Sequence, residues 1–312
     1  MKAWQHTLLQ RALQALLVGL VVGTITFFAM RALPGDAAFR IAAARYGYDL
    51  VDAAAAAAVR AELGLDTHWL PALGAWLADL VRGELGRSLV SGEPVWHELA
   101  HEFGHTLALS AATLALVLLL GTPLGVAAAL RPGGWLDRGT LAAAVALRAL
   151  PPFLLGLLLI VLFSVQMAAL PAAGDGNGAQ LVLPAVTLAL PLAAMFARVL
   201  RESLRGVTAS AYWAFALGKG LPPRVVLWRH GLRNAAMPVL AWFGMQAVVL
   251  VEGVVIVETV FARPGVGHAM VHAVFGRDVP VIQGAALVLG LAFVLFNTAV
   301  DLACLALDPR RR

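Results

Sequence analysis

An all-α integral membrane protein with six transmembrane helices is the fold class this sequence predicts, and three observations predict it. Of the 312 residues, 61% are hydrophobic and only 13% are charged, about half the charged share of an average soluble domain. The apolar residues gather into six long runs. The basic residues cluster between those runs, where charge sets membrane orientation. A net charge of +5 raises a nucleic-acid reading, but no solvated basic stripe stands beside aromatic platforms, as strand binding needs. No nucleic-acid partner is therefore expected, and membrane lipid is. The single cysteine, Cys304, can build neither a disulfide framework nor a cysteine metal site.

Residues 1–30 hold the N-terminus and the first span. Lys2 and Arg11 precede an uncharged run from Ala12 to Met30, longer than the apolar core of a secretion signal and suited to crossing. Ala42 and Ala44 lie too far downstream for an ordinary cleavage site, so the span is expected to stay uncleaved. Residues 31–105 form an external subdomain in this reading. Its alanine run Ala53–Ala58, between Asp52 and Arg60, predicts a short helix ending near Gly64.

Residues 106–312 form the main transmembrane domain, with five more spans: Thr106–Leu130, Gly139–Leu170, Ala179–Ala197, Ala235–Val257 and Val279–Val300. At 1.5 Å per residue each can cross about 30 Å of hydrocarbon. The run from Gly139 is too long for one straight crossing and contains Arg148 and Pro151-Pro152, which predicts a kink. Residues 198–234 are neither apolar enough to span nor loose enough to be a linker. They read as two short helices: Ser210 to Gly220 ends at a glycine turn, and Pro222-Pro223 preorganises the next.

Charge counting orients the chain. With the N-terminus inside, Lys2, Arg11, Arg131, Arg138, Arg198, Arg201, Arg205, Lys219, Arg224, Arg229, Arg233 and Arg310 to Arg312 lie in or near the cytoplasm, 14 of 23 basic residues. Between Arg31 and Ala100, nine acids face six bases. The positive-inside rule then places both termini in the cytoplasm, as an even span count requires.

The 198–234 segment also carries a resemblance. A short helix, Gly218-Lys219-Gly220-Leu221, then Arg229-His230-Gly231-Leu232-Arg233-Asn234 through Pro238, is similar to the cytoplasmic coupling loop of the dipeptide/oligopeptide/nickel permeases of ABC importers. The likeness extends through Leu33-Pro34-Gly35-Asp36, Leu63-Gly64-Leu65-Asp66, Leu85-Gly86-Arg87-Ser88, Gly125 to Leu130 and Leu183-Pro184-Ala185. It continues in Glu258 to Phe261, Pro264 to Gly267, Arg277-Asp278-Val279-Pro280, Asn297, Asp301 and Leu307 to Arg310. Singly these matches are weak; their shared order over some 270 residues is not.

The resemblance implies a permease subunit of a binding-protein-dependent importer in the bacterial inner membrane, forming half of a pore by alternating access. It implies a second homologous permease, two cytoplasmic ATPase subunits that bind ATP and Mg, and a periplasmic or lipid-anchored solute-binding protein. Dipeptides, oligopeptides, nickel and metallophore complexes are the implied solutes, with a transition metal as one candidate cargo. No cofactor is expected on this chain. Gly218-Lys219-Gly220 is not a phosphate loop, lacking the upstream glycine and following hydroxyl, so no ATPase site is expected. The coupling residues are Tyr212, Trp213, Phe215, Lys219, Gly220, Arg229 and His230. Aromatics on a two-turn helix can anchor in a partner groove, or lie in a membrane interface; Gly220 permits the tight turn. Where relatives show Thr-Ala-Arg-Ala, Ala214 to Gly218 read Ala-Phe-Ala-Leu-Gly, so a basic residue is lost.

Two further sets of residues carry candidate chemistry. His97 to His105 contains two overlapping HExxH motifs. Histidines at i and i+4 share a helix face and can bind zinc, with Glu98 or Glu102 as general base. His97, His101 and His105 are thus a candidate external metal site, and the alternative function is a membrane-embedded zinc metalloprotease. A solvated helix is the plain reading, with His68, His268 and His272 as further outward candidates. Charges inside apolar spans are costly, roughly 2.5–3.5 kcal/mol on insertion scales, and usually face a cavity or each other. Arg148, Glu252 and Glu258 are therefore candidates to line a substrate path; an internal ion pair that fixes helix packing, or snorkelling toward an interface, is the alternative. No catalytic residue is expected.

Overall fold

The computed structural model describes residues 3–63, 68–176 and 178–307. They are helical throughout, apart from turns and one isolated bridge between Arg87 and Pro94. Five helices are long and apolar enough to cross a membrane, and a sixth crossing arises if one sharply bent pair is taken together. Two compact units make up the chain.

One unit contains Gln10–Leu107 and Ala262–Val294, so the predicted external segment packs with a distant stretch of sequence. It includes most of α1 (Ala3–Ala32). Asp36 caps α2 (Ala37–Tyr46), its carboxylate accepting from Ala38 N at 2.9 Å. Asp52 caps α3 (Ala53–Leu63) through Ala55 N at 2.8 Å, so the alanine run folds as expected; Gly64 lies outside the described residues. Side chains of Ile41 and Val59 meet in a small core. The apolar α4 (Trp69–Arg82) follows. The next helix, α5 (Val95–Leu130), begins well before Thr106, because the segment Val95–His105 continues the same backbone ladder into the apolar run.

The other unit holds Ala108–Phe261 with both chain ends. The Gly139–Leu170 run does not kink; it breaks. Helix α6 (Trp135–Ala149) and the piece Pro152–Gln166, α7 (Pro152–Leu159) with a wide π-type turn after it, meet at 104°. A proline disfavours helical backbone at its predecessor. Leu150 accordingly sits at φ −85°, ψ 122°, and Pro151 at φ −59°, ψ 142°. Two consecutive extended residues turn the chain rather than bending it.

Helix α8 (Ala179–Thr208) is the axis of this unit, running beyond the predicted Ala197. Its Leu183, Leu188, Phe196, Leu200 and Leu204 are buried in two clusters with Leu155, Val254, Phe261, Val239 and Trp242. Gly121 and Gly125 of α5 let two backbones meet: a Cβ on Gly125 would lie 2.8 Å from the Ala197 carbonyl, and one on Gly121 2.6 Å from Phe196. Small residues four apart are how helices pack closely where lipid removes the hydrophobic drive.

After α8 comes α9 (Ala211–Gly218). The second short helix expected in 198–234 is not separate. It is α10 (Pro223–Val226), which passes through a π-type turn at Leu227–Leu232 into α11 (Arg233–Val260), a single helix of 38 residues. Helices α12 (Val266–Gly276), in the first unit, and α13 (Val279–Leu307) complete the chain.

Candidate functional site

Helix α9 has no buried residue, although it is almost entirely apolar. Tyr212 is 45% exposed and Phe215 63%. The Lys219 ammonium stands 4.6 Å from the Phe215 ring centroid, in cation–π range. Trp213 differs from the other two aromatics. It turns inward, half-buried, onto Gly231, where a Cβ would come 3.2 Å from its ring. It anchors the helix to its own chain instead of offering itself outward. Gly220 adopts φ +79° with open space around its Cβ position, so backbone rather than packing demands glycine there. Arg229 is exposed and His230 half-buried on the π-type turn, with the His230 carbonyl accepting from Asn234 Nδ2 at 2.7 Å. Trp228, 73% exposed beside them, was not singled out from sequence. The result is an apolar and cationic surface left uncovered by the described residues.

A buried ion pair braces this region. Asp137 and Arg201 are 3% and 6% exposed. The guanidinium donates through Nε to Oδ1 and through Nη2 to Oδ2 at 2.9 Å, and Gly133 N donates to Oδ2 at 2.7 Å. Two parallel bonds of this kind fix orientation as well as charge. Sequence reasoning missed the pair: Arg201 was counted only as an orienting charge, and Asp137 was not considered. The available signal was an acid in the first turn of α6 between Arg131 and Arg138.

The candidate path residues are not gathered together. Arg148, at the end of α6, lines a cleft of about 220 Å³ with Pro151, Thr187, Met195, Gln246 and Gly253. Glu252 is exposed on α11 and does not line that cleft. No ion pair joins Arg148 and Glu252 among the described residues. Glu258 is fully buried, so it faces no open passage here.

The histidine ladder does not form a metal site. His97 and His101 are exposed, His105 is half-buried, and the His101 and His105 rings lie 5.2 Å apart, edge to face. Among the described residues no group of three or more His, Cys, Asp or Glu could hold a metal ion. The geometry explains this correction. Steps of four residues climb about 6 Å, so one helix can bring two histidines to an ion near 2 Å but not a third. Among the described residues no third ligand joins two of these histidines, so the zinc protease alternative finds no support. His68 instead accepts from Leu70 N at 3.4 Å at the start of α4. The His268 and His272 rings meet edge to face, 4.4 Å apart. Burial holds the His268 pKa below its ordinary value, the His272 charge adds to that, and Glu102 opposes it.

Several matched motifs converge. The buried Asp278 carboxylate accepts from the Ser88 hydroxyl, from Leu89 N at 3.1 Å and from Val90 N at 3.2 Å. Arg277 donates to the carbonyls of Leu33 at 3.2 Å, Gly35 at 3.1 Å and Pro34. Val266 N donates to Thr106 Oγ1 at 2.9 Å. The segments 33–36 and 85–88 are therefore both tied to 277–280, and 264–267 to the start of the second apolar run. The 63–66 and 307–310 matches lie largely outside the described residues.

Residues 121–312 match the family described as "Binding-protein-dependent transport system inner membrane component". The chain is 38% identical over 293 residues to the glutathione transport system permease protein of Pectobacterium atrosepticum, covering 94% of each. It is 35% identical over 313 residues to a probable peptide ABC transporter permease protein of Sinorhizobium fredii, covering 98% of each. In structure it resembles a chain of the methionine ABC transporter MetNI in an inward-facing conformation, with a TM-score of 0.55 at 19% identity, over 67% of this chain and 95% of that one.

Proposed function

Because this chain belongs to the family of binding-protein-dependent transport system inner membrane components, we propose that it forms half of the translocation pore of an ATP-driven peptide importer. It is a transport subunit and not itself an enzyme. One observation carries the coupling part of this reading: α9 presents Tyr212, Phe215 and Lys219 on a surface left uncovered by the described residues. An apolar helix so displayed is stabilised by burying its aromatics in a partner. That partner is one of two ATPase subunits that hold ATP and Mg in the cytoplasm. A second, homologous permease supplies the other half of the pore, and a solute-binding protein delivers cargo to the 31–105 side. Both termini then lie in the cytoplasm, in agreement with the basic residues between spans.

Peptides are the cargo because the similar proteins named above are a glutathione and a probable peptide permease. No observation in the structure favours nickel or a metallophore complex. Arg148, which lines the cleft, is our candidate to meet a peptide carboxylate. The test is copurification in mild detergent followed by reconstitution into vesicles with every chain recovered. ATP-dependent accumulation of glutathione or short peptides, lost with Arg148→Ala, is the expected result. Accumulation of a nickel chelate but of no peptide would overturn the cargo assignment. Recovery without any ATPase, with no ATP-dependent uptake, would overturn the importer reading itself.

A further inference from the structure

Helix α4 belongs to the segment that sequence alone places outside the membrane, yet its contacts follow α1 downward. The Trp69 ring lies 5.5 Å from that of Phe28. Trp76 packs directly on Gly23. Leu77 and Val81 share a groove with Leu16 and Leu20. As α4 advances twelve residues, its partner positions on α1 retreat by twelve, so the two helices run antiparallel, side by side, for about 18 Å. The α1 residues involved all belong to the uncharged run Ala12–Met30, the part of α1 that requires hydrocarbon around it. Helix α4 is itself uncharged from Trp69 to Ala78. At 14 residues it measures about 21 Å, too short to cross 30 Å of hydrocarbon. Its only charges, Asp79 and Arg82, pair with each other at 3.4 Å, and the long Arg82 stem can carry its head toward water.

We infer that α4 is a partial span, inserted beside α1 from the side of the α1 C-terminus and reaching past the middle of its apolar run without crossing, and that the groove it forms with α1 and α13 binds a phospholipid acyl chain. The groove measures about 710 Å³, with Leu287 and Leu291 of α13 completing its apolar wall. Its occupant follows from continuity. Leu16 and Leu20 line the groove and are also part of the outward apolar face of α1, 71% and 50% exposed. Val81, at the rim, is 89% exposed. A cavity that opens onto hydrocarbon and offers almost no polar group is filled by the solvent of that phase.

A nitroxide at position 81 tests this in the assembled complex, in phosphatidylethanolamine/phosphatidylglycerol vesicles. Val81→Cys is labelled in a Cys304→Ser background, with Ala57→Cys on α3 as an aqueous control. The expected result is a several-fold higher ratio of oxygen to nickel-chelate collision at 81 than at 57. Equal ratios would overturn the proposal by placing α4 in water. Low access to both reagents would overturn it by showing another protein chain, not lipid, in the groove. Uptake activity of the labelled complex is read separately, so this outcome does not depend on the cargo.

Discussion

At the scale of single residues, three positions carry predictions of different kinds. The Asp137–Arg201 pair is buried, so removing one partner leaves the other's charge without compensation. Arg201→Ala is expected to lower stability more than Asp137→Leu with Arg201→Met together; thermal unfolding in detergent compares the two. Gly220 is a backbone requirement. Gly220→Val places a β-branched residue at positive φ, costing about 1–2 kcal/mol, and should uncouple uptake, whereas Gly220→Asn, tolerant of that region, should retain it. Transport assays at matched expression read the difference. His268 titrates below its ordinary value, so on acidification the unfolded chain takes up this proton first. Stability is then lost as pH falls below about 6.5. His268→Gln should flatten that slope in melting temperature against pH.

At the scale of elements, the break between α6 and α7 is the departure with most consequence. Pro151-Pro152 announced an interruption, but a kink and a 104° turn differ in whether the helical ladder survives. Here it does not, since Leu150 and Pro151 are both extended. Pro151→Ala with Pro152→Ala should let a continuous helix compete, lengthening the distance between spin labels on α6 and α7 and abolishing uptake. The six apolar runs were legible because hydrocarbon imposes long uncharged stretches on any spanning helix. Helix ends were not. Helices α5, α8 and α11 continue past the apolar runs, because the backbone ladder is satisfied equally well in water. The bracing pair was hidden for another reason: its members are 64 residues apart, and single-sequence reading has no handle on that separation. The histidine spacing was legible as a shared face, but a shared face is not a shared ion.

At the scale of the whole molecule, the chain leaves much apolar surface uncovered. Only 17% of the most apolar window of α1 is buried, against 56% for that of α8. Lipid accounts for part of this surface, and the proposed second permease for another part. Coexpression with that partner is expected to raise the melting temperature in detergent above that of the chain alone, through mass action on the folded state. An unchanged melting temperature, with both chains present on the column, would argue that the pore halves do not bury each other.

The continuity of the helix from Pro223 to Val260 has a mechanical side. Trp213 bears on Gly231 near one end, and Gly253 borders the Arg148 cleft near the other. Twenty-two residues separate the two points, about 33 Å of helix. Such an element works as a lever: a tilt of about 5° at the Trp213 end sweeps the cleft wall by about 3 Å over that length. Pro238, inside the helix, removes one backbone bond and is where the arm is most compliant. In the proposed importer, the stroke reaching the cleft would be set by stiffness at this proline as much as by the force applied to α9.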